Sequence, residues 1–439
     1  MRDLASKLIA WGKAGGAGEI EVSIVEGREF SVDVRRGQIE NLVEAGSRVL
    51  GLKVIKDKKT AVAGSSDLSM ETLRRLVRNA VRRAELAEPD EYSGLTPLTP
   101  STVDSASLRL YDPELPAVEA GKKIGLALET ERIALKDKRI TNSCGAGFVS
   151  DEARVVLANS NGFSGEYSQT YCGLSVCLQA GGTNDRVEDS WSSSKRFFQD
   201  LASPEEVAKK AVARTVRQLH PRKIKTKNVP VIFEPAMTSW LMGFLFSCIS
   251  GTAIYQKASF LTDKLGQRIG NRLINVVDDG LMPKELGSRP FDADGVPSRR
   301  TVVVDKGILK NYLCNTYAAR KLNLTTTGNA DGGGVSPNNF FLEPGRTTPE
   351  EIIKSTKEGL YLIRTLGHGL NSITGDISRG AFGLWIENGE VVYPVSEITI
   401  SGNLGALLKG VEMVGRDLEF LSPVAGPTIK VTEMTVAGE

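Results

Sequence analysis

Few side chains in this sequence could carry catalytic or metal chemistry, and histidine is the scarcest of them. The 439 residues include two histidines, His220 and His368. A histidine-based metal site or a Ser/His/Asp triad would have to use one of these two. His220 is predicted to lie in the last turn of a helix, where a cation suits the helix dipole, and we interpret it as structural. His368, between two glycines in LGHGLN, is a candidate general base without an identifiable partner.

Four aspartates in the C-terminal half could supply acid or base chemistry. They are Asp278, Asp279, Asp292 and Asp294. Nothing in their spacing pairs them in space, and FDADGVPSR lacks the ligand series of a calcium-binding loop. The sequence also has no G-x-S-x-G nucleophile elbow. We therefore predict turn aspartates, whose carboxylates accept hydrogen bonds from nearby backbone amides.

A segment rich in glycine and asparagine, TGNADGGGVSPNN, runs from Thr327 to Asn339. No Lys-Ser or Lys-Thr pair follows its glycines, which excludes a phosphate-binding P-loop. Long loops of this composition often carry function, so we expect it to line a substrate cleft or to be mobile. The candidate cleft residues are Asn329, Asp331, Asn338, Asn339 and His368.

The cysteines indicate a reduced compartment. Their number is odd and no two form a C-x-x-C pair, which suits a reduced cytoplasm better than a disulfide scaffold. The N-terminal MRDLASKLIAWGKAGGAG carries charges in its first turns, which favours a short helix over a secretory signal. We therefore expect a cytoplasmic protein. The cysteines are Cys144, Cys172, Cys177, Cys248 and Cys314.

The stretch PAMTSWLMGFLFSCISGTAIYQ, residues 235–256, has no charged residue, although 25% of the whole chain is charged. Its serines, threonines and glutamine make it too polar for a membrane span, so a core helix over 237–250 is predicted instead. Gly243 and Ser247 are small enough to let a neighbouring element approach that helix. The residues predicted on its apolar side are Trp240, Leu241, Phe244, Leu245 and Cys248.

The charge balance gives no electrostatic reason to expect nucleic acid or an anionic membrane as a partner. Lys plus Arg number 55 and Asp plus Glu number 53, a formal charge of +2. The arginines of the predicted helix between Ser69 and Pro89 are interpreted as its solvated face.

Hydrophobic periodicity predicts an α+β protein. Apolar residues alternate at 20–24, 30–34 and 50–54, which predicts an antiparallel meander broken at glycines. Hairpin turns are predicted at 305–307 and 387–390. We expect N-terminal α/β segments with an antiparallel sheet, and a C-terminal domain that is mainly antiparallel β with a buried helix.

Capping signals place three helix starts, at Ser69, Ser203 and Thr348. The last of these helices is predicted to end at Gly359. The length implies two or three domains. The predicted division is an α+β domain at 1–88, a linker rich in Pro, Ser and Thr at 89–115, a middle α+β segment at 116–222 and a β-rich domain at 223–439.

Several long motifs resemble one family. They include VPVIFEPAMTSWLMGFLFSCISGTAIYQKASFLTDKLGQRI, TTTGNADGGG and NSITGDISRGAFGLWIENGEVVYPVSEITISGNL, with GSRVLGLKVIKDKKTAVAGSSDLSMETL and VLANSNGFSGEYSQTY nearer the N-terminus. Over nearly its whole length the sequence resembles the TldD/PmbA family, on the PmbA side that is also called TldE.

The resemblance implies a metal site that this chain has lost. TldD-type subunits are zinc metalloproteases in which an H-E-x-x-x-H helix and a C-terminal cysteine hold the metal and the glutamate activates its water. Here the first histidine and the glutamate fall on Gly243 and Phe244, and the second histidine falls near Cys248. Cys314 is the last cysteine, so the C-terminal ligand is also missing. We therefore assign this chain no catalytic residue, metal ligand or cofactor, and we interpret Cys248 as a core thiol.

The leading hypothesis is a PmbA/TldE-type subunit of a TldD/TldE-like metalloprotease that acts on peptides and unfolded segments. The resemblance implies a zinc-bearing TldD-type partner in a heterodimer, and a label as modulator of DNA gyrase that does not itself imply DNA binding. Two alternatives stay open. One is a stand-alone homodimeric peptide-binding protein, and the other is a hydrolase with a non-zinc site built on Asp278, Asp279 or His368.

Overall fold

The computed structural model describes residues 1–101, 103–182 and 185–438. These residues form an α+β protein with mainly antiparallel sheets, which confirms the predicted fold class. One sheet with its covering helices occupies the N-terminal half. Sheets of six and five strands, a two-stranded hairpin and a central helix occupy the C-terminal half.

The N-terminal half alternates helices with long strands. Its strands form one antiparallel sheet in the order β3-β2-β1-β4-β5-β6, so the first and middle segments of the chain share a sheet. The elements are α1 (Arg2–Ala14), β1 (Glu19–Arg35), β2 (Gln38–Lys56), β3 (Lys59–Ser65), α2 (Met70–Leu86), α3 (Ala120–Ala134), β4 (Ile140–Asn159), β5 (Ser164–Ala180), β6 (Val187–Lys195) and α4 (Pro204–Val216).

The apolar patterns at 20–24 and 30–34 belong to the single strand β1, so the break predicted at glycine between them is wrong. Gly27 stays in the ladder, opposite Ser47 of β2 and Ala153 of β4. Side chains of the first pattern pack in a core with α1 and α2, and those of the second pack with α3 and α4. Alternate residues of a strand face the same side, so all four helices cover one face of the sheet.

The C-terminal half is built from many short elements. They are β7 (Lys227–Phe233), α5 (Pro235–Ile249), α6 (Gly251–Tyr255), β8 (Val276–Asp279), β9 (Arg300–Asp305), β10 (Ile308–Leu309), α7 (Thr316–Lys321), β11 (Ala330–Asp331), β12 (Gly334–Val335), β13 (Asn339–Leu342), α8 (Pro349–Lys354), β14 (Glu358–Leu366), β15 (Asp376–Glu387), β16 (Glu390–Asn403), α9 (Leu404–Lys409), β17 (Val411–Val414), β18 (Val424–Ala425) and β19 (Ile429–Ala437).

Two sheets organise these elements around α5. One has the order β16-β15-β14-β7-β19-β17, and an additional pairing of β16 with β19 closes five of its strands into a ring. The other has the order β10-β9-β8-β13-β18. The hairpins predicted at 305–307 and 387–390 are confirmed as the turns between β9 and β10 and between β15 and β16. A single apolar core joins α5 to both sheets.

The predicted helix starts are confirmed, but two predicted helix ends are wrong. Ser203 and Thr348 each form a full capping box, and the Ser69 hydroxyl accepts a hydrogen bond from the backbone amide of Thr72. The helix α4 ends at Val216, so His220 lies beyond it. The helix α8 ends at Lys354, and Gly359 belongs to β14 because the chain turns directly into that strand.

The segment predicted as a linker, 89–115, is fastened to the C-terminal half. Arg320 of α7 donates from Nη1 to the carbonyl oxygens of Tyr92 (3.0 Å) and Gly94 (2.7 Å), and from Nη2 to that of Leu95 (2.7 Å). A guanidinium can satisfy several carbonyls at once because its donors are fixed in one plane. The described residues of this segment form no long helix or strand, but they are held by long-range contacts.

Candidate functional site

The helix α5 occupies the centre of the C-terminal half and is the first candidate for a functional site. Pro235 begins it and Ile249 ends it, close to the predicted bounds. Among the described residues, no helix is long and apolar enough to cross a membrane. The buried residues of α5 pack into the core between the two sheets and include Leu241, Phe244, Leu245 and Cys248, as predicted. Trp240 is only half-buried.

The other side of α5 carries Trp240, Gly243 and Ser247, and we call these three residues the open face of α5. A methyl group placed at Gly243 would meet no atom of a neighbouring element of the described chain within 4 Å. Ser247 is exposed, but its hydroxyl donates back to the Phe244 carbonyl oxygen (2.7 Å). Gly243 and Ser247 were expected to let another element pack against α5. In the described chain, no element packs there against Gly243.

Phe244 and Cys248 lie on the buried side. Phe244 is 4% exposed and Cys248 is fully buried. Burial raises the pKa of the Cys248 thiol to about 12, so it is neutral near pH 7. Among the described residues, Cys248 belongs to no group of three potential metal ligands, so its sulfur atom has no set of partners with which to hold a metal ion. The interpretation of Cys248 as a core thiol agrees with this environment.

A buried ion-pair group fixes the N-terminal end of α5, and the sequence reasoning missed it. Glu234 Oε1 lies 2.9 Å from Arg214 Nη2, and Glu234 Oε2 lies 2.8 Å from Arg217 Nη2. Arg214 also approaches Asp189 Oδ2 of β6 at 3.4 Å. A carboxylate beside a helix N-terminus is favoured by the helix dipole. Its signal in the sequence is one glutamate inside the apolar run VPVIFEPAM.

Three of the predicted cleft residues are fully buried: Asn329, Asn338 and Asn339. Two of them hold the carboxylate of Asp278, which is also buried. Asp278 Oδ2 accepts from the side-chain amides of Asn329 and Asn338, both at 2.8 Å, and Oδ1 accepts from the backbone amide of Asn338 at 2.8 Å. We call Asp278, Asn329 and Asn338 the amide network.

The amide network keeps its polar groups inside the protein. Burial raises the pKa of Asp278, and the hydrogen bonds from the two asparagines oppose that rise. Asn339 lies next to it and donates to the Asp279 carbonyl oxygen (2.7 Å) and to the Ser288 hydroxyl (2.8 Å). These contacts join the strands β8 and β13 to the segment that follows β8 and to the segment that precedes β13, and the side chains do not face solvent.

The remaining predicted cleft residues, Asp331 and His368, are exposed and lie in different loops. Asp331 belongs to the β11–β12 hairpin, which turns at Gly332 and Gly333 with φ of 53° and 105°. His368 lies between β14 and β15. The role of both residues in binding a substrate stays a prediction.

The other candidate residues adopt structural roles. Asp292 Oδ1 accepts hydrogen bonds from the amides of Asp294 (3.0 Å) and Val296 (2.9 Å), which confirms the turn aspartate interpretation for this residue. The interpretation is wrong for Asp278, which lies on β8 and is held by the distant asparagines of the amide network. Burial raises the pKa of Asp292 to about 6. His220 is exposed, with φ of 57°, and its Nδ1 lies 3.4 Å from Asp185 Oδ2. The prediction that His220 sits in the last turn of α4 is wrong, because α4 stops one turn earlier.

Potential metal ligands cluster elsewhere. Across residues 1–101, 103–182 and 185–438, one group of three such side chains lies close together: Cys144, Cys177 and Glu188. They belong to the N-terminal sheet, not to α5.

The chain is similar to known proteins along its whole length. Three family models match it: PmbA/TldA metallopeptidase domain 1 over residues 20–84, the central domain over 113–219 and the C-terminal domain over 226–438. Metalloprotease PmbA of Escherichia coli O157:H7 is 36% identical over 432 residues, covering 98% of this chain and 94% of that protein. A metalloprotease PmbA homolog of Haemophilus influenzae is 34% identical over 429 residues, covering 97% and 93%.

Solved structures share the fold. A proposed modulator of a DNA gyrase from Thermotoga maritima MSB8 superposes with a TM-score of 0.90 at 28% identity, covering 99% of each chain. TldE from Thermococcus kodakarensis superposes with a TM-score of 0.90 at 22% identity, covering 99% of this chain and 100% of that one, and supports the fold alone. The chain is thus of the metallopeptidase class defined by these three family models, which match it one after another. This chain belongs to the PmbA/TldE branch of the PmbA/TldD metalloprotease family.

Proposed function

We propose that this chain is the PmbA/TldE-type subunit of a TldD/TldE-like metalloprotease, and that it binds no zinc on α5. In this proposal a TldD-type subunit supplies the zinc, and this chain forms a wall of the peptide chamber. The observation that carries the proposal is the residue set at the family metal positions, Gly243, Phe244 and Cys248.

Those three positions do not fit a zinc ion. Glycine has no side chain, and phenylalanine offers no ligand atom. The one sulfur atom, on Cys248, is buried in an apolar core and belongs to no group of three potential ligands among the described residues. A zinc site needs three or four ligand atoms around one point, and a catalytic site also needs a water-accessible position. No catalytic step is therefore assigned to α5 of this chain.

The open face of α5 supports a role in positioning substrate. This half-exposed face carries Trp240, over whose ring the Arg379 guanidinium lies at 5.4 Å, and has free space beside Gly243. It therefore offers a partly apolar surface to a peptide or to a partner subunit. The substrates we propose are peptides and unfolded segments, and the partner is a TldD-type subunit. Nucleic acid and membrane are not among the proposed partners, and the five free cysteines favour the cytoplasm.

Reconstitution tests the partnership. This chain and a TldD-type protein from the same genome are purified separately and together, and cleavage of an unfolded peptide is measured with and without a chelator. We expect chelator-sensitive cleavage by the complex and none by this chain alone. Chelator-insensitive cleavage by the lone chain would instead support the hydrolase alternative. Peptide binding by a lone homodimer, with no complex formed, would support the stand-alone binding protein.

A pair of substitutions at one position tests the role of the open face. Because a methyl group at Gly243 would meet no neighbouring element, the Gly243→Trp side chain starts in free space and should fill the face. Size-exclusion chromatography first establishes that the variant folds and assembles. We expect kcat/KM of the complex to fall by about tenfold or more, since a displaced peptide misaligns with the zinc. Gly243→Ala is the matched control and should retain activity. Wild-type cleavage by an assembled Gly243→Trp complex would exclude the open face from the chamber.

Zinc analysis tests the absence of a metal on α5. The zinc content of the lone chain is compared with that of Cys248→Ala. Zinc that is present in the wild type and lost in Cys248→Ala would contradict the proposal.

A further inference from the structure

A bulge in the strand β4 brings two cysteines of the N-terminal sheet together. Ser143 pairs with Leu178 of β5, and Gly145 pairs with Cys177, so Cys144 is an extra residue in the ladder. Gly145 has φ of 132°, a conformation that glycine tolerates. A bulge places two residues opposite one and re-aims a side chain. Here it turns Cys144 toward Cys177.

A carboxylate from the next strand completes the group. Glu188 of β6 approaches from the other side of β5, and the Cys144 thiol lies 3.4 Å from Glu188 Oε2. The three ligand atoms all lie within 4.8 Å of one another. Gln179 Nε2 also donates to Glu188 Oε2 at 2.8 Å, and Gln179 Oε1 accepts from Asn142 Nδ2 at 2.9 Å. The carboxylate is thus oriented by a chain of two amide side chains.

This arrangement matches the requirements of a divalent metal ion with an affinity for sulfur. Two ligand atoms bound to one zinc ion at ~2.3 Å and at a tetrahedral angle are ~3.8 Å apart. The ligand atoms of Cys144, Cys177 and Glu188 lie within 4.8 Å of one another, which is compatible with that separation. Thiolates select zinc-type ions, and an outer amide that orients a ligating carboxylate is a usual feature of metal sites.

The group also opens onto a cavity. Cys144 and Cys177 line a cavity of about 510 Å³, together with Ser175, Ser190 and Trp191. A fourth ligand, such as water, can therefore reach the metal from that side. We propose that Cys144, Cys177 and Glu188 form a zinc-type metal site with three protein ligands and one position open to this cavity.

The site would fasten three neighbouring strands at one point. Its ligands come from β4, β5 and β6, and Arg364 of β14 donates from Nη1 to the Glu188 carbonyl oxygen at 2.6 Å. The Arg364 cation beside the ligands reduces the attraction for a metal, so the two thiolates must supply most of the affinity. Metal bound here stabilises the folded state, because the unfolded chain lacks the site.

This inference is independent of the proposed function. Metal at this site depends on Cys144 and Cys177, whereas metal on α5 would depend on Cys248. The variants of these cysteines distinguish the failure of one proposal from the failure of the other.

The test is a titration of the reduced, metal-stripped full chain with Co²⁺, followed by displacement with Zn²⁺. We expect one Co²⁺ per chain with the absorption band of a thiolate-to-cobalt charge transfer, and a rise in Tm when Zn²⁺ replaces it. Cys144→Ser and Cys177→Ser should each weaken binding by about a hundredfold or more, and Glu188→Gln by about tenfold or more. Gln179→Leu removes the amide that orients Glu188, together with its hydrogen bond from Asn142, but removes no ligand atom. It should weaken binding by about tenfold and leave the charge-transfer band in place.

Cys172→Ala is the control, because Cys172 also lies on β5 but is buried in the core. It should bind Co²⁺ as the wild type does. The circular dichroism spectrum of every variant is compared with that of the wild type to confirm folding. The inference is overturned if the wild type shows no thiolate-to-cobalt band, or if Cys144→Ser binds Co²⁺ with the wild-type affinity and an undiminished band.

Discussion

The amide network is polar but buried, whereas the open face of α5 carries no charge but is accessible. Asp278, Asn329 and Asn338 are among the most polar residues of the C-terminal half, and all three are fully buried. The helix α5 has no charged residue, yet one of its faces has free space beside it. The buried polar groups are stable because their donors and acceptors are paired with each other. The accessible face of α5 is instead a surface to which another molecule can bind.

The largest expected effect comes from removing the acceptor of the amide network. Asp278→Ala leaves the side-chain amides of Asn329 and Asn338 and one backbone amide buried without that acceptor. We expect the free energy of unfolding to fall by about 3–5 kcal/mol, measured by urea denaturation. Asp331→Ala, on the exposed hairpin, should change it by less than about 0.5 kcal/mol. Equal losses would mean that the network is not what stabilises this region.

The buried carboxyl group of Glu21, on β1, shows how burial raises a pKa where no hydrogen bonds like those to Asp278 are among the main opposing causes. Glu21 is 8% exposed, and burial raises its pKa from 4.5 to about 7, while Lys53 opposes the rise. In the window between those pKa values the folded protein keeps a proton that the unfolded chain has released. Stability should therefore fall as pH rises through this window, by up to about 1.4 kcal/mol per pH unit.

Glu21→Gln removes this titration. The free energy of unfolding of the variant should depend less steeply on pH across the same window, in urea denaturation at several pH values. Asp292, whose pKa is raised to about 6, contributes with the same sign in both proteins. Its charge also helps to raise the pKa of Glu21, so Glu21→Gln removes that coupling together with the titration of Glu21 itself. Parallel pH profiles for the two proteins would show that Glu21 ionises normally in the folded state.

Gly251, the first residue of α6 and two residues beyond the end of α5, has close neighbours and provides a contrast to Gly243. A methyl group at Gly251 would lie 2.6 Å from Cys314 Sγ and 3.0 Å from the Ala318 methyl group. Gly251→Ala should lower the free energy of unfolding by about 1–3 kcal/mol, because both neighbours are themselves buried and cannot move freely. Thermal unfolding measures it, and an unchanged Tm would mean that α6 can shift away from α7.

The smallest effect is expected at the open face. Gly243→Ala meets no neighbouring element and improves helix propensity, so the free energy of unfolding should rise by up to about 1 kcal/mol. The same thermal measurement as for Gly251→Ala gives the comparison directly. A loss of stability at position 243 would show that this face is closed in solution.

Much of the local structure could be predicted because its causes are local. The capping boxes at Ser203 and Thr348, the two hairpin turns and the core side of α5 follow from residue types a few positions apart. The helix end expected near His220 and the strand break expected near Gly27 were wrong, because long-range packing decides where a helix stops and whether a strand continues.

For the candidate site too, some features could be predicted from the sequence and others only from the structure. The sequence by itself determined that positions 243 and 244 hold Gly and Phe, which have no ligand atom whatever the fold. It also carried the resemblance to the PmbA/TldE family. Only the tertiary structure decided that Asn329 and Asn338 turn inward to Asp278, and that a bulge brings Cys144 to Cys177. The physical reason is that the chemistry of a side chain is local, whereas its burial and its partners depend on segments distant in the chain.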